Sequence, residues 1–268
     1  MKKKSLAARI YRATANTVEP VLPLGLRTPA HYLSRRLTNR LEAEYDAIMS
    51  MATPGKTAVD VGANIGVFSY GFLARGSNVV AIEPQPGCAA HIRAFDALGL
   101  PRSSRRGRLS LHVEALGAES ASAVLYVPLK NGRVDDESAS LKESDGESLR
   151  IEVPVRRLDD YGLDNVDVIK MDVEGRELPA LEGAASTIRR WRPSLLIEIE
   201  QRHHDEPIAE VFARINEIAG GGYATSFLDS SHQMRPLKEF DVERDQLALK
   251  DNPLSRAYVR NFFFLPHR

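Results

Sequence analysis

One stretch of the chain limits the possible folds more than any other: TAVDVGANIGVFSYGFLARG, at residues 57–76. It starts with a short apolar run that is typical of a buried strand, passes through two glycines on either side of an asparagine, and continues in a helical pattern of apolar residues. A strand that leads through a glycine turn into a helix indicates a doubly wound α/β sheet. Ligands of such sheets bind at the carboxyl ends of strands, so this turn is a candidate ligand site.

The rest of the chain supports this fold by alternating apolar runs with helical patterns. Apolar runs predict strands at residues 57–61, 78–82, 108–113, 166–171, 194–199, 223–228 and 258–265, and helical patterns fill residues 65–75, 87–98, 177–190 and 206–219. Two β-rich segments flank a polar insertion at residues 130–148, which we interpret as a loop over one sheet edge. Residues 1–52 are predicted to form a basic helical N-terminal extension, and residues 53–268 a single domain on a mostly parallel sheet.

The residues of the turn distinguish between two cofactor classes. A dinucleotide turn presents bare backbone amides to a pyrophosphate, and a carboxylate next to it would repel the phosphates. Here Asp60 precedes the glycines in the spacing Asp60-x-Gly62-x-Asn64-x-Gly66. An acid at this place suits a ligand with positive charge and no phosphate, which describes S-adenosylmethionine, and the glycines let the backbone approach that ligand closely. The alternative is that the glycines only make a tight strand–helix turn.

Glu83 closes the second predicted strand in the segment VVAIEP, 21 residues after Gly62. A carboxylate at this position accepts hydrogen bonds from the two ribose hydroxyls of a bound cofactor. NAD-dependent enzymes use the same arrangement, so Glu83 alone does not separate the two cofactor classes. An NAD(P)-binding Rossmann oxidoreductase is therefore one alternative, against which Asp60 argues, and a non-catalytic S-adenosylmethionine-binding module is another.

Residues 58–200 resemble the FkbM family of S-adenosylmethionine-dependent methyltransferases. The matching pieces are VDVGANIGVFS, VVAIEPQP, VEALG, LDDY, VIKMDVEGRELPALEGA and RPSLLIEIE, and the agreement extends weakly to NFFFLP. The resemblance implies the class I methyltransferase fold, a doubly wound, Rossmann-like α/β sheet of seven strands whose last strand is antiparallel. It also implies transfer of a methyl group to an oxygen, commonly a hydroxyl of a sugar or secondary metabolite.

The predicted cofactor site combines the glycine turn with the ends of the second and third strands. At the end of the third strand, in LHVEALG, the resemblance places Glu114 and Ala115 beside the adenine. Glu114 either accepts the adenine amino proton or faces solvent. The predicted cofactor-binding residues are Asp60, Gly62, Ala63, Asn64, Gly66, Glu83, Pro84, Glu114 and Ala115.

Two acids, Asp172 and Glu174, follow the apolar run at residues 166–171 and are the first candidates for catalysis. Methyl transfer to a hydroxyl is an in-line displacement in which the acceptor loses its proton around the transition state. A carboxylate beside the reacting groups orients the hydroxyl or accepts its proton. The alternatives are that one acid caps the following helix, or that both hold a divalent cation. Because no histidine or third acid is placed clearly beside them, we predict no metal.

The segment LLIEIEQRHH ends the next predicted strand on the same rim of the sheet. Its Glu200 or His203 is an alternative base, and we include His203 among the candidate catalytic residues. Two adjacent histidines on a loop, here His203 and His204, are more often plain surface residues, which is the competing interpretation.

The charge balance of the chain and one sequence motif limit the kinds of partner that we expect the protein to bind. Lys+Arg and Asp+Glu number 36 each, so bulk charge predicts no nucleic-acid partner, and DVEG differs from the turn expected of enzymes that methylate nucleic-acid amino groups. We expect a small-molecule or glycan hydroxyl acceptor.

Residues 1–40 hold nine Lys/Arg against one Glu, a net charge of 9 − 1 = +8. This basic arm predicts peripheral contact with a membrane or an acidic carrier, or alternatively a solvated lid or dimer arm.

The single Cys88 excludes an internal disulfide and fits a reducing compartment, so we expect a cytoplasmic location. No apolar run approaches the ~18 residues of a membrane span. The basic start lacks the continuous apolar core of a signal peptide.

Overall fold

The computed structural model describes residues 22–37, 43–130, 133–134, 139–141, 146–252 and 255–267. Its strands are β1 Thr57–Val61, β2 Asn78–Ile82, β3 Leu109–His112, β4 Ala115–Leu116, β5 Ala121–Lys130, β6 Arg133–Val134, β7 Ser148–Arg156, β8 Val166–Met171, β9 Ser194–Glu198, β10 Tyr223–Leu228, β11 Met234–Pro236 and β12 Asn261–Pro266. Its helices are α1 Leu24–Leu37, α2 Ala43–Met51, α3 Val67–Arg75, α4 Pro86–Ala97, α5 Glu177–Glu182, α6 Ala185–Trp191, α7 Ile208–Ile218 and α8 Val242–Asp245. Among the described residues, no helix has the length and apolar character needed to cross a membrane.

Within the described residues, a central sheet of eight strands has the order β11-β10-β12-β9-β8-β1-β2-β3. The neighbours from β9 to β3 are parallel, whereas β12 runs antiparallel to both β9 and β10. The last strand is therefore antiparallel, as predicted, but the predicted number of seven strands is one too low. The additional strand is β11, which pairs antiparallel with β10 over three residues and is too short and exposed to leave an apolar pattern in the sequence.

The central sheet separates two apolar cores, one on each face. Three consecutive side chains of β12 show this directly, because Phe262 and Phe264 lie in one core and Phe263 lies in the other. All three are fully buried. Burial of one such side chain stabilises the fold by about 1.5–3 kcal/mol. Because strands of this kind are covered on both faces, they appear in the sequence as continuous apolar runs, which is why their positions could be predicted.

A second, smaller sheet has the order β4-β7-β5-β6. Its strands β5 and β7 form an antiparallel ladder whose buried side chains, including Leu125 and Val153, make a third apolar cluster. The predicted insertion at residues 130–148 joins these two strands, and only part of it is among the described residues. In that part, Ser140 pairs with Tyr126 of β5, so the insertion returns along the small sheet.

Helices α1 and α2 pack directly on the domain. Tyr45 and Ile48 of α2 are buried in the core on one face of the sheet. In α1, the buried hydroxyl of Thr28 donates a hydrogen bond to the backbone oxygen of Ile65 at 2.6 Å. Both helices therefore contact the domain that the sequence places after residue 52. Most of the predicted basic arm, at residues 1–21, lies outside the described residues.

The helix predicted at residues 177–190 is interrupted between α5 and α6, at Gly183. A Cβ atom on Gly183 would overlap the backbone oxygen of Gly117, and the Gly183 carbonyl accepts a hydrogen bond from the N–H of Asp159 at 2.9 Å. The prediction of one helix is therefore wrong, because the backbone approaches two other segments at this point and leaves the helical path to do so.

Candidate active site

A cleft opens at the carboxyl ends of β1, β2 and β8 and is closed from one side by the small sheet. Counted with the solvent at its mouth, it encloses about 680 Å³. Several residues that the sequence singles out line it: Gly62, Asn64, Glu83, Pro84, Glu114, Ala115, Asp172 and Glu174. Of the other predicted site residues, Asp60, Ala63 and Gly66 lie behind its wall, and His203 lies next to Glu174.

The glycine turn (residues 60–66) follows β1. Gly62 has a left-handed φ of +67°, and a Cβ atom on it would overlap the backbone oxygen of Asp172. Gly66 has a φ of +87°, and a Cβ atom there would lie 2.7 Å from the Ile92 side chain in α4. Both positions therefore need glycine because of the protein's own atoms, a reason that applies in addition to the close approach of a ligand that the sequence predicts. Gly62 also lines the cleft, so its backbone is accessible to a ligand.

Asp60 lies beneath the glycine turn and is fully buried. Its Oδ2 accepts a hydrogen bond from the Ser69 hydroxyl at 2.6 Å, and its Oδ1 lies 3.8 Å from Nζ of Lys170. The carboxylate thus faces a cation of the protein. The expectation that Asp60 meets a positively charged ligand is not supported, and its charge is no direct argument against a phosphate in the cleft.

Lys170 connects the glycine turn with the end of β8. Its buried ammonium group donates a hydrogen bond to the Gly62 carbonyl at 2.8 Å and lies 3.6 Å from Oδ2 of Asp172. A cation in this place offsets the charge of the nearby acids while it fixes the backbone of the turn. Lys170 is not among the site residues predicted from the sequence. Its spacing from Asp172 was the available signal, because side chains two residues apart on a strand share a face.

Glu83 is buried at the end of β2 and lines the cleft. Its two carboxylate oxygens accept hydrogen bonds from the backbone N–H groups of Asn64, at 2.7 Å, and Gln85, at 2.8 Å. Burial raises the pKa of Glu83 to about 7, although the two backbone hydrogen bonds oppose the rise. A carboxylate has about four acceptor sites, so Glu83 can still accept hydrogen bonds from ligand hydroxyls.

Glu114 lines the cleft, but its carboxylate already has partners in the protein. The Tyr161 hydroxyl donates a hydrogen bond to Oε1, and Nδ1 of His112 lies 3.3 Å from the same oxygen. The rings of His112 and Tyr161 stack with centroids 4.5 Å apart. These contacts hold the Glu114 carboxylate against the wall of the cleft, beside the buried Ala115.

The acidic turn (residues 172–175) follows β8. The Asp172 N–H donates a hydrogen bond to the Val61 carbonyl at 3.1 Å, which ties this turn to β1. Glu174 has a left-handed φ of +50°, and Gly175 follows with +86°. Such a backbone conformation costs a residue with a side chain about 1–3 kcal/mol and persists only where the surrounding structure enforces it. The surrounding structure therefore holds Glu174 in place at the edge of the cleft.

His203 forms an ion pair with Glu174, with Nε2 3.0 Å from Oε2. Burial lowers the pKa of His203, but hydrogen bonds to Glu174 and Glu200 outweigh burial and raise the pKa to about 9. The neighbouring His204 is also buried, with Nε2 3.2 Å from a carboxylate oxygen of Glu177. The interpretation of these two histidines as plain surface residues is therefore wrong.

Glu200 is fully buried behind His203. It accepts hydrogen bonds from the Tyr258 hydroxyl and, at 2.7 Å, from the Arg202 guanidinium. Burial raises the pKa of Glu200, but the hydrogen bonds from His203, Tyr258 and Arg202 lower it to about 2. A carboxylate with these partners orients His203 rather than taking a proton from a ligand.

The cleft suits a cofactor that carries a nucleoside. Glu83 and Glu114 supply two fixed acceptors, Leu116 supplies apolar surface, and the glycine turn presents the backbone of Gly62 and Asn64. In the part of the chain that the structure describes, no three His, Cys, Asp or Glu side chains are grouped so that they could hold a metal ion.

Other lining residues were missed by the sequence analysis: Leu125, Ala139, Ser140, Leu141 and Arg176. The first four belong to β5 and the insertion, which no local pattern connects with the glycine turn. Arg176 directly follows the acidic turn, and a charged residue at that position was the available signal.

Comparison with known proteins gives a consistent result. A family model described as the methyltransferase FkbM domain matches residues 60–226, more than half of the chain. The 2-O-methyltransferase NoeI of Sinorhizobium fredii is 26% identical over 171 residues, which cover 59% of this chain and 69% of that protein. The methyltransferase sdnD of Sordaria araneosa is 28% identical over 177 residues, which cover 51% of this chain and 66% of that protein.

Among solved structures, the crystal structure of methyltransferase FkbM from Methylobacillus flagellatus KT is similar, with a TM-score of 0.51 and 20% identity. The match covers 96% of this chain and 60% of that one. This likeness supports the Rossmann-like α/β fold of a methyltransferase. The chain spans about two thirds of the length of the two curated relatives and less of the solved structure.

Proposed function

Because the chain belongs to the FkbM methyltransferase family, we propose that it transfers a methyl group from S-adenosylmethionine to a hydroxyl oxygen of a sugar or secondary metabolite. The observation that carries the proposal is the cleft that Glu83 and the glycine turn line together with Asp172 and Glu174. The name of the rhizobial relative, a 2-O-methyltransferase, supports oxygen as the acceptor atom.

The residues that would hold the cofactor are those around the glycine turn. Glu83 would accept hydrogen bonds from the ribose hydroxyls, and Glu114 would accept one from the adenine amino group at the strand end where the family resemblance implies a contact with the base. Gly62 and Asn64 would approach the cofactor with their backbone. When bound, S-adenosylmethionine supplies a methyl group that is activated by a positively charged sulfur.

Asp172 is our first candidate for the group that takes the acceptor's proton. It lines the cleft, and 34% of its side chain is exposed, so an acceptor hydroxyl has access to it. Lys170 and the hydrogen bond to Val61 fix its position. A carboxylate held in this way can orient the hydroxyl for an in-line displacement and accept its proton.

Glu174 is the second candidate, with His203 as its positioning residue. Because the raised pKa of about 9 keeps His203 protonated at neutral pH, His203 holds a proton and cannot accept another. Its role in this proposal is to fix the Glu174 carboxylate through their ion pair. This revises the role of base that the sequence suggested for His203.

Calorimetric titration with S-adenosylmethionine, S-adenosylhomocysteine and NAD⁺ tests the cofactor assignment. We expect the first two to bind and NAD⁺ not to bind. Binding of NAD⁺ without binding of either sulfur compound would refute the proposed function. Glu83→Gln serves as the site-specific variant, and Glu119→Gln, which changes an exposed acid outside the cleft, serves as the matched control.

A further inference from the structure

The acceptor side of the cleft contains a cation that the proposed chemistry does not use. Arg176 lies directly after the acidic turn and lines the cleft together with Ser140 and Leu141 from the insertion. These residues face the part of the cleft next to Asp172 and Glu174, where the acceptor hydroxyl would be placed.

Within the part of the chain that the structure describes, Arg176 forms no ion pair, and its Nε is buried without a hydrogen-bond partner. Other arginines of the protein are paired, for example Arg202 with Glu200 at 2.7 Å and Arg214 with Glu182 at 2.8 Å. A buried donor on a charged group is costly to leave unpaired. An unpaired one that lines a cleft therefore indicates that a ligand supplies the acceptor.

The acids nearest in sequence do not provide the missing partner, and the adjacent Glu177 lies 3.2 Å from Nε2 of His204 instead. Asp172 lies beside Lys170, and Glu174 is paired with His203. Both carboxylates of the acidic turn thus have their own cations, and Arg176 adds a positive charge that the turn does not balance.

We propose that Arg176 binds an anionic group of the methyl acceptor, so that the substrate is a hydroxyl compound with a carboxylate, sulfate or phosphate. This inference rests on the proposed function, because it assigns the acceptor side of the same cleft. The guanidinium group presents its donors in a planar fork that matches the oxygens of these anions, and such paired hydrogen bonds are both strong and geometrically selective. The carboxylate of S-adenosylmethionine is the other possible source of the same chemistry, and the experiment separates the two.

The test uses the full chain and sugar probes that differ only in the group at carbon 6, which is neutral in one probe and anionic in the other two. Dissociation constants for glucose, glucose 6-phosphate and glucuronate are measured by calorimetry on protein saturated with S-adenosylhomocysteine. We expect the two anionic sugars to bind at least roughly tenfold more tightly than glucose, the usual effect of a hydrogen bond to a charged group. Arg176→Gln should abolish this preference and leave the affinity for S-adenosylhomocysteine within about twofold of the wild-type value.

Two further variants make the result specific. Arg176→Lys keeps the charge but loses the planar fork, so it should retain only part of the preference. If melting shows that Arg176→Gln is unfolded, an undiminished preference in Arg176→Lys overturns the inference. Arg190→Gln removes an arginine that is 68% exposed and outside the cleft, and it should change nothing.

A wild-type protein without preference for the anionic sugars overturns the inference, as does a preference that survives in Arg176→Gln. Weaker binding of S-adenosylhomocysteine in that variant also overturns it and assigns Arg176 to the cofactor carboxylate. The same sugar titrations are repeated without S-adenosylhomocysteine. They report on Arg176 even if the protein does not bind the cofactor product, so a wrong proposed function and a wrong assignment of Arg176 give different results.

Discussion

The glycine turn and the acidic turn follow the neighbouring strands β1 and β8 and line one cleft side by side, but they hold their carboxylates in different ways. Both turns follow parallel strands, and both use left-handed backbone, at Gly62 and Glu174 respectively. On the glycine side, the carboxylate of Glu83 is held by two backbone N–H groups. On the acidic side, Asp172 and Glu174 lie next to cationic side chains, at 3.6 Å and 3.0 Å.

The two ways of holding a carboxylate suit different functions. Backbone amides hold Glu83 in place without a full counter-charge, so burial dominates and its pKa rises to about 7. Such a group is suited to accept hydrogen bonds from neutral hydroxyls. On the acidic side, the neighbouring cations stabilise the charged form of the two carboxylates. A charged carboxylate next to an acceptor hydroxyl can take up its proton during the reaction. We therefore expect changes on the glycine side to affect mainly binding, and changes on the acidic side to affect mainly turnover.

The largest effect is expected for Asp172→Asn, which keeps the volume of the side chain but removes its charge and basicity. If the acidic side performs the chemistry, turnover should fall by about 10²–10⁴, the usual contribution of a general base. Affinity for S-adenosylhomocysteine should change little. Single-turnover methyl transfer and calorimetry on the same variant measure both quantities. A near-normal rate would move the role of base to Glu174, and Glu174→Gln is the variant to compare.

Gly62→Ala tests whether the glycine side depends on backbone geometry. The new Cβ atom would overlap the Asp172 carbonyl at a left-handed φ of +67°, so we expect a loss of roughly 2–5 kcal/mol in the free energy of unfolding. Gly55→Ala is the matched control, because Gly55 has a φ of +83° with nothing within 4 Å of the added atom. It should cost only about 1–2 kcal/mol. Equal losses in urea titrations of the two variants would contradict the close contact.

Glu83→Gln should weaken the binding of S-adenosylhomocysteine by about ten- to 150-fold, since hydrogen bonds to a charged acceptor contribute about 1.5–3 kcal/mol. Single-turnover rate at saturating cofactor should stay close to the wild-type value, which is the reverse of the pattern expected for Asp172. Calorimetry provides the affinity. A change of less than twofold would remove Glu83 from the ribose site.

The smallest effect is a pH dependence of cofactor affinity. Because the pKa of Glu83 is raised to about 7, the free protein has this group mostly protonated at pH 6 and mostly ionised at pH 8. The ionised form is the better acceptor for hydroxyl groups, so affinity for S-adenosylhomocysteine should rise about tenfold over this interval. In Glu83→Gln the rise should disappear. A rise of the same size in that variant would assign the pH dependence to another group.

The glycine side of the cleft could be predicted from the sequence because its signals are local. Gly62 and Glu83 lie at fixed distances after apolar runs, and those runs are continuous because their strands are buried on both faces. The same reasoning located the strands and most helices. It failed at Gly183, where the helix is broken by contact with a segment more than 60 residues away in sequence.

The acidic side could be predicted only in part. Asp172 and Glu174 follow a recognisable strand, but their partners depend on tertiary contacts between different strands. The pairing of Glu174 with His203 joins the segments that follow β8 and β9, and Arg176 lines the same cleft as Ser140 only because the small sheet covers the cleft. The spacing of charged residues in the sequence does not specify which of them are paired, because pairing is decided by the fold.

The position of β12 has a consequence for the synthesis of the protein. This strand lies between β9 and β10, although it follows both of them in the chain. A growing chain on the ribosome therefore has a gap in its central sheet until residues 261–266 have emerged, and both apolar faces around that gap lack the phenylalanines at positions 262–264. We expect the nascent chain to reach its final packing only after translation of β12, and to depend until then on chaperones that shield exposed apolar surface.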